Sequence, residues 1–310
     1  MKISVIIPTY NASKYIARQL KRLKDQSAEI AEIIVIDSES ADDTVKIAEA
    51  MGAKCFRIKS ADFDHGGTRN IAYGQSAGDI VGFLTQDALP ADNLAIARIA
   101  RPIFENPDVA AVCGRQLPNE ETGLFGSHLR LYNYPGKSFT RSIEDRDKYG
   151  IKTVFLSDSF AAYRRTDLDA IGGFKKNLLF GEDTHACARL ILRGKKVVYR
   201  ADACVFHSHD YTAIQEFKRY FDIGCFHQSE KWILEQFGGA EREGIKFLES
   251  ELMYILSHNR LDALLVWPFR IAMKYSGYRL GKKQRILPFW LKSRLSMAPY
   301  WWHRQKSKRI

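Results

Sequence analysis

Through the first 115 residues, short apolar runs alternate with amphipathic stretches. Ile3 to Ile7 is an apolar run closed by Pro8, the pattern of a buried parallel strand. Ser13 offers an N-cap to a helix with apolar positions at Ile16, Leu20 and Leu23. Ile33 to Ile36 predicts a second strand ended by Asp37, followed by a helix from Asp42 to Met51 and a strand near Cys55 to Ile58. Gly66 to Ser76 reads as loop into helix, Ile80 to Leu84 as a strand ended by Thr85-Gln86-Asp87, Asp92 to Glu105 as a helix, and Val109 to Cys113 as a strand. Strand and helix in alternation predict an α/β fold, a mostly parallel sheet with helices on both faces.

The second half is less regular. Asn119 to Gly150 predicts a long loop with some helix, and Val154 to Tyr163 a strand. A helix opens at Gly181-Glu182-Asp183 and is stopped by Gly194. Lys196 to Tyr199 and Cys204 to Phe206 predict two short strands, and from Thr212 the pattern is mainly helical.

In parallel sheets, ligands bind beyond the carboxyl ends of the strands. Polar residues collect there: Pro8-Thr9-Tyr10-Asn11 after the first strand, Asp37-Ser38 after the second and Gln86-Asp87 after the fourth. Neither the GxGxxG dinucleotide fingerprint nor a GxxxxGK[ST] phosphate loop is present, so the sheet suits a nucleotide bound in another way.

The chain has 310 residues, enough for one large domain or a domain with an appendage. Its net charge of +11 is local: twelve Lys or Arg and no acidic residue lie between Ala263 and Ile310, and the rest is nearly neutral. Such a tail seeks polyanions, either nucleic acid or an anionic membrane face. Leu264, Leu265, Trp267, Phe269, Ile286, Trp290, Trp301 and Trp302 are interleaved with these charges, as in an interfacial segment. No run is long and apolar enough for a membrane span, and the start is too short in apolar residues for a signal core. The five cysteines form no CxxC pair, which argues against a zinc site or a disulfide framework and for reduced thiols in a cytoplasm.

Several residues suit chemistry. Asp37 can accept from a base or ribose, although Asp also suits a turn beside Ser38 and Ser40. Asp87 can hold a divalent cation that bridges two phosphates. In Asp64-His65-Gly66-Gly67-Thr68-Arg69-Asn70, the glycines permit close backbone approach and Arg69 offers a fork for phosphate. One of Glu182 and Asp183 can serve as a general base, although acidic residues also favour helix starts. His207 and His209 alternate along a strand end, so one of them is expected to face a metal.

Together these elements resemble the inverting, GT-A type family 2 glycosyltransferases. The matching segments are VIIPTYN (5–11), VIDSESADDT (35–44), GGTRN (66–70), LTQDA (84–88), GGF (172–174), GEDTHACARLILRG (181–194) and FHSHDYT (206–212), in family order. FDHGGTRN with LTQDA, the tract from Gly224 to Trp232 and YSGYRLGKK resemble bacterial rhamnosyltransferases that build surface polysaccharides from dTDP-L-rhamnose. Residues 1–215 would form the GT-A domain, with a nucleotide-sugar half (1–115) and an acceptor half (116–215). Residues 216–310 would form a helical, membrane-associating extension.

The resemblance implies roles. Asp37 and Ser38 would contact the nucleoside with Pro8, Thr9, Tyr10 and Asn11 nearby, and Arg69 and Gly67 would face the diphosphate beside Gln86. Asp87 and His207 would hold Mg²⁺ or Mn²⁺, with His209 the alternative ligand. Asp183 would be the base, with Glu182 the alternative. One departure matters: the family's DxD metal motif corresponds to Thr85-Gln86-Asp87, so one carboxylate is missing. The implied partners are dTDP-L-rhamnose, an undecaprenyl-diphosphate-linked saccharide acceptor and the inner face of the bacterial inner membrane. A UDP-hexose donor is the alternative within the family. Nucleic-acid binding is the alternative from another class, and the neutral body lacks the basic aromatic stripe it would need.

Overall fold

The structure is a computed structural model that describes residues 1–239 and 241–307. Nine strands form one sheet: β1 (Ile3–Thr9), β2 (Ile30–Asp37), β3 (Lys54–Arg57), β4 (Ile80–Leu84), β5 (Leu89–Pro90), β6 (Val109–Leu117), β7 (Phe139–Arg141), β8 (Phe160–Arg164) and β9 (Lys196–Phe206). Their order is β3-β2-β1-β4-β8-β6-β9-β5, with β7 paired to β9. The longer ladders are parallel, while β8 runs antiparallel between β4 and β6.

The helices of the catalytic region are α1 (Ser13–Lys24), α2 (Thr44–Ala50), α3 (His65–Gly74), α4 (Ala95–Glu105), α5 (Leu124–Asn133), α6 (Arg146–Tyr149), α7 (Arg165–Ala170) and α8 (Glu182–Leu192). The extension contributes α9 (Ala213–Ser229), α10 (Lys231–Phe237), α11 (Glu241–Ser257), α12 (Leu261–Lys282), α13 (Phe289–Leu295) and α14 (Pro299–Ser307).

Strand periodicity splits the core into two layers. Val5 and Ile7 point to the face covered by α1 and α4, where Ile16, Leu20, Ile96 and Ile99 are buried. Ile6, Ile34 and Ile36 point to the other face, covered by α3, α7 and α8.

Four expectations change. Ser13 does not cap α1; Asp42 Oδ2 accepts from the Ser13 backbone and Thr44 Oγ1 from that of Ala12, so the start of α2 caps α1. The strand expected over 154–163 begins only at Phe160, because Ser157-Asp158-Ser159 forms a polar turn before it. The two short strands over 196–206 are one strand, in which the register jumps between Arg200 and Cys204 opposite Gly114 and Arg115. The long loop over 119–150 holds α5, β7 and α6.

The extension is packed onto the body. Helices α9 and α12 touch backbone to backbone: a Cβ on Gly281 would lie 2.1 Å from Phe221 O, and one on Gly277 would lie 2.4 Å from Phe217 O. These glycines lie in the GYRLGKK tract, so its small residues serve helix contact. Between α9, α11 and α12, Lys274 is buried among Glu216 and Glu251, and Arg270 pairs with Glu216. Thus Arg270 and Lys274, counted among the tail's basic residues, face inward. Trp302 is buried in a cluster with Leu179, Phe221, Cys225 and Ala298. Part of the segment expected to meet lipid is therefore interior, and Lys308 and Arg309 lie outside the described residues. Leu265, Phe269, Tyr275, Ile286 and Trp290 remain exposed. Among the described residues, no helix is long and apolar enough to cross a membrane.

Candidate active site

The carboxyl ends of β1, β2 and β4 meet in three short loops laced by side chains. Asp37 is buried and accepts from Thr9 Oγ1 at 2.9 Å, from Ser40 N at 2.8 Å and from Ser40 Oγ at 2.5 Å. Its carboxylate ties the two loops together. Asn11, at φ 49, donates through its backbone to Ser40 Oγ and accepts from Ala41 N. The Gln86 amide pairs with both backbone groups of Tyr10, accepting at 2.8 Å and donating at 3.2 Å. This bracing leaves the Tyr10 ring exposed beside Pro8 and leaves the buried Ser38 Oγ without a partner.

Beyond β4 lies a second group. Asp87 Oδ1 is 3.4 Å from His207 Nε2, and its Oδ2 is 3.4 Å from His209 Nε2. Strand β9 ends at Phe206, so the alternation expected of His207 and His209 does not apply and both rings turn toward Asp87. Gln116 Oε1 accepts from Arg130 Nη1 at 2.7 Å and also lies 2.9 Å from His207 Nδ1. That oxygen can only accept, so Nδ1 carries a proton and Nε2 is the atom turned toward Asp87. Burial and the neighbouring His207 push His209 down to about 4, leaving a neutral imidazole. Burial opposes ionisation of Asp87, but its hydrogen bond and charge interaction with His207 outweigh it and hold the carboxyl well below the usual range. An ionised carboxylate with two imidazoles turned toward it makes a donor set for a cation. The three ligand atoms lie within 4.8 Å of one another; donors at about 2.1 Å from one ion sit roughly 3–4 Å apart, so a small closing of the side chains would bring the set around a divalent metal. His209 adds a third candidate ligand beside the one carboxylate of Thr85-Gln86-Asp87.

The third group surrounds Arg69. Its Nη1 is 2.9 Å from Glu182 Oε1 and its Nε is 3.0 Å from Asp158 Oδ2, the latter close in distance but not aligned as a hydrogen bond. Nη1 also donates to His65 O. The guanidinium is therefore enclosed by carboxylates, since a buried cation needs partners within the fold. The glycines before it are also used internally. Gly67 N donates to Asp64 Oδ1, the N-cap of α3, and a Cβ on Gly66 would lie 2.1 Å from Lys175 O. Asn70 pairs with the backbone of Phe174 through both amide atoms, at 2.8 and 2.9 Å. GGTRN and GGF are two halves of one packing contact.

Asp183 opens α8, where its half-buried carboxylate accepts from Thr184 N at 2.6 Å and Asp158 N at 3.2 Å. Burial and then repulsion from Glu182 push it up to about 6. Glu182, although buried, is held below its ordinary value by Arg69 and His65. Asp158 is pushed up to about 8 by burial, against the pull of Arg69, and accepts from Tyr163 Oη at 2.6 Å. Arg69 thus neutralises Glu182, and Asp183 is the carboxylate poised near neutral pH, suited to take a proton.

The sequence reading missed Asp158, Gln116 and Arg130. The signal for the first was a polar Ser-Asp-Ser triplet inside an otherwise apolar strand pattern; Gln116 and Arg130 left none. The triplet joins the two groups, since Ser157 Oγ accepts from Gln116 Nε2 at 3.0 Å while Asp158 N meets Asp183.

Comparison with known proteins agrees. The glycosyl transferase family 2 profile matches residues 4–172. The chain is 43% identical to the O-antigen chain rhamnosyltransferase RfbN of Salmonella typhimurium, over 98% of this chain and 96% of that protein. It is 40% identical to the O-antigen chain rhamnosyltransferase WbaN of Salmonella anatum, over 97% and 95%. Among solved structures, the mannosyltransferase PcManGT of Pyrobaculum calidifontis, in complex with GDP-Man and Mn²⁺, superposes with a TM-score of 0.57 at 18% identity, covering 99% of this chain and 86% of that one. TarS 1–349 of S. aureus with UDP-GlcNAc gives 0.55 at 18% identity, covering 92% and 91%. The fold is therefore of the GT-A kind, and with the profile spanning over half of its length the chain belongs to glycosyl transferase family 2 and is a glycosyltransferase.

Proposed function

We propose that this enzyme transfers L-rhamnose from dTDP-L-rhamnose, with inversion, to a hydroxyl of an undecaprenyl-diphosphate-linked saccharide on the cytoplasmic face of a bacterial inner membrane. The observation that carries the reading is the full-length similarity to two O-antigen chain rhamnosyltransferases.

The nucleoside lies across the ends of β1 and β2, where Ser38 Oγ awaits a partner and the Tyr10 ring offers a face to a base. Thr9, Asn11, Asp37 and Gln86 keep that floor in shape. Asp87, His207 and His209 would hold a divalent ion, and two imidazoles in the set would favour Mn²⁺ over Mg²⁺. When bound, the ion neutralises charge gathering on the departing diphosphate. Asp183 takes the proton from the acceptor hydroxyl as its oxygen attacks the anomeric carbon from the face opposite the diphosphate. One displacement inverts configuration and needs no covalent enzyme intermediate. Asp158 and Glu182 hold Arg69 between them, so that its pull on Asp183 is outweighed by burial and by Glu182.

The exposed Tyr275, Arg279, Lys283, Arg285, Ile286, Trp290 and Arg294 form the lipid-facing surface. Each basic residue near an anionic leaflet contributes about 1 kcal/mol. Incubation with dTDP-rhamnose, UDP-glucose or UDP-galactose and a lipid-linked acceptor tests the donor; transfer from dTDP-rhamnose alone is expected, and transfer only from a UDP-sugar overturns it. Flotation on anionic vesicles should be lost in Ile286→Asp/Trp290→Asp, and equal binding to neutral vesicles overturns the membrane role.

A further inference from the structure

The last described helix reaches back across the molecule to the two segments that carry the carboxylate cluster. Arg304 Nη1 donates to Phe63 O at 2.7 Å, and its Nη2 lies 3.0 Å from Asp64 Oδ2. Tyr300 Oη lies 3.3 Å from His65 Nε2, and the Tyr300 ring meets Phe63 edge-on at 5.9 Å. Asp64 does three jobs at once. It caps α3 through Gly67 N, it accepts from Asn177 N at 2.9 Å, and it receives Arg304. One turn into α3 stands Arg69, which holds Glu182 and Asp158.

The same helix grips the second segment. Trp302 and Ala298 are buried against Leu179, with Phe180 packed beside them, and Gly181-Glu182-Asp183 follows directly. A fixed point behind α14 comes from Asp222 on α9, whose Oδ2 accepts from Met297 N at 2.8 Å. Both strands of this grip end at Asp183: one through Asp64, α3, Arg69 and Glu182, the other through Leu179 and Phe180.

We propose that α14 is a positioning strap for the catalytic carboxylate, with Arg304 and Tyr300 acting through Asp64 and His65 to hold Arg69, Glu182 and Asp183 in register. The role rests on the transferase reading for Asp183. Neither Arg304 nor Tyr300 touches the reacting atoms in this scheme. They fix the frame from which the base works, and displacement of a reacting group by about 1 Å can cost on the order of 10²-fold in rate.

The test uses the full-length protein with its working donor and acceptor. Arg304→Ala should lower kcat roughly 10- to 100-fold and leave the donor KM within about twofold, because Arg304 bonds to Phe63 and Asp64 and to none of Thr9, Tyr10, Asp37 or Ser38. Asp64→Asn, which keeps a good cap but removes the charge, should cause a similar loss. The double variant should be no worse than either alone, since both cut one link. Arg304→Lys should recover part of kcat. Amide hydrogen exchange reads the same coupling without turnover: Arg304→Ala should speed exchange across 64–70 and 180–186 and leave α4 unchanged. Should Arg304→Ala fail to fold, Tyr300→Phe removes a single oxygen and should reproduce the exchange change on a smaller scale. Wild-type kcat in Arg304→Ala, strictly additive losses with Asp64→Asn, or unchanged exchange in 64–70 in these variants overturns the strap. Absence of transfer by the wild type overturns the transferase reading instead, and the exchange result stands apart from it.

Discussion

At the donor end of the sheet, polar side chains find partners in neighbouring loops of the first third of the chain: Asp37 with Thr9 and Ser40, Asn11 with Ser40 and Ala41, Gln86 with Tyr10. Around Arg69 the partners come from afar. Asp158 stands before β8, Glu182 opens α8, and Arg304 reaches Asp64 across 240 positions. The proposed donor floor is held by hydrogen bonds between neighbouring loops, whereas the cluster is held by buried ion pairs. One region is built to receive a ligand and the other to hold a charge in place. A loop that waits for a ligand tolerates loss of a side chain better than a buried ion cluster does, because removing one partner there strands a charge.

The largest expected effect breaks the cluster's chemistry. Asp183→Asn should lower transfer by about 10²–10⁴ with donor affinity nearly intact, as measured by thermal stabilisation with nucleotide. Near wild-type transfer in this variant, beside a dead Glu182→Gln, would move the base to Glu182. Next, Asp87→Ala or excess EDTA should stop turnover, with Mn²⁺ restoring more than Mg²⁺. His207→Ala and His209→Ala should each cost about 10- to 100-fold in metal affinity or activity; indifference to His209→Ala would return the site to two ligands.

Arg69→Ala separates the two regions directly. If the guanidinium sits as described, the loss is in stability, about 3–5 kcal/mol in a denaturant titration. A guanidinium on the diphosphate would instead raise the donor KM in a protein of unchanged stability.

Smaller effects follow from pH. Asp183 must be ionised to act, so kcat/KM should rise through an acid limb centred near pH 6. Asp158 has its folded value raised to about 8, so the stability it contributes is whole below about pH 4 and is lost as pH climbs through 8. Asp158→Asn, which cannot ionise, should therefore gain in Tm relative to wild type between pH 5 and pH 9. An unchanged difference in Tm across that range would show that Asp158 ionises freely.

The sequence exposed the two regions unequally, for the same reason. Alternating strand and helix blocks placed Thr9, Asp37 and Asp87 at strand ends, because a strand and the loop after it are local objects. The pairing of Asn70 with Phe174 and the enclosure of Arg69 depend on which distant segments pack together, and hydrophobic period does not carry that. His209 ranked below His207 because strand alternation was carried past the strand's end; the strand stops at Phe206, and both imidazoles turn toward Asp87. Motif resemblance identified Arg69 and Gly67 as important residues, but the packed structure supplied their immediate work.

The pairing of Tyr300 with His65 spans 235 positions, and it bears on how the chain is made. Contacts so far apart in sequence close late, since the ends of a long loop must first be brought together. During synthesis, β1 to β4 and the donor floor can form while α14 is still to come. A nascent or prematurely ended chain can therefore own a nucleotide floor while lacking the last brace beside its base. The order of translation itself then sets the order in which binding and transfer become available.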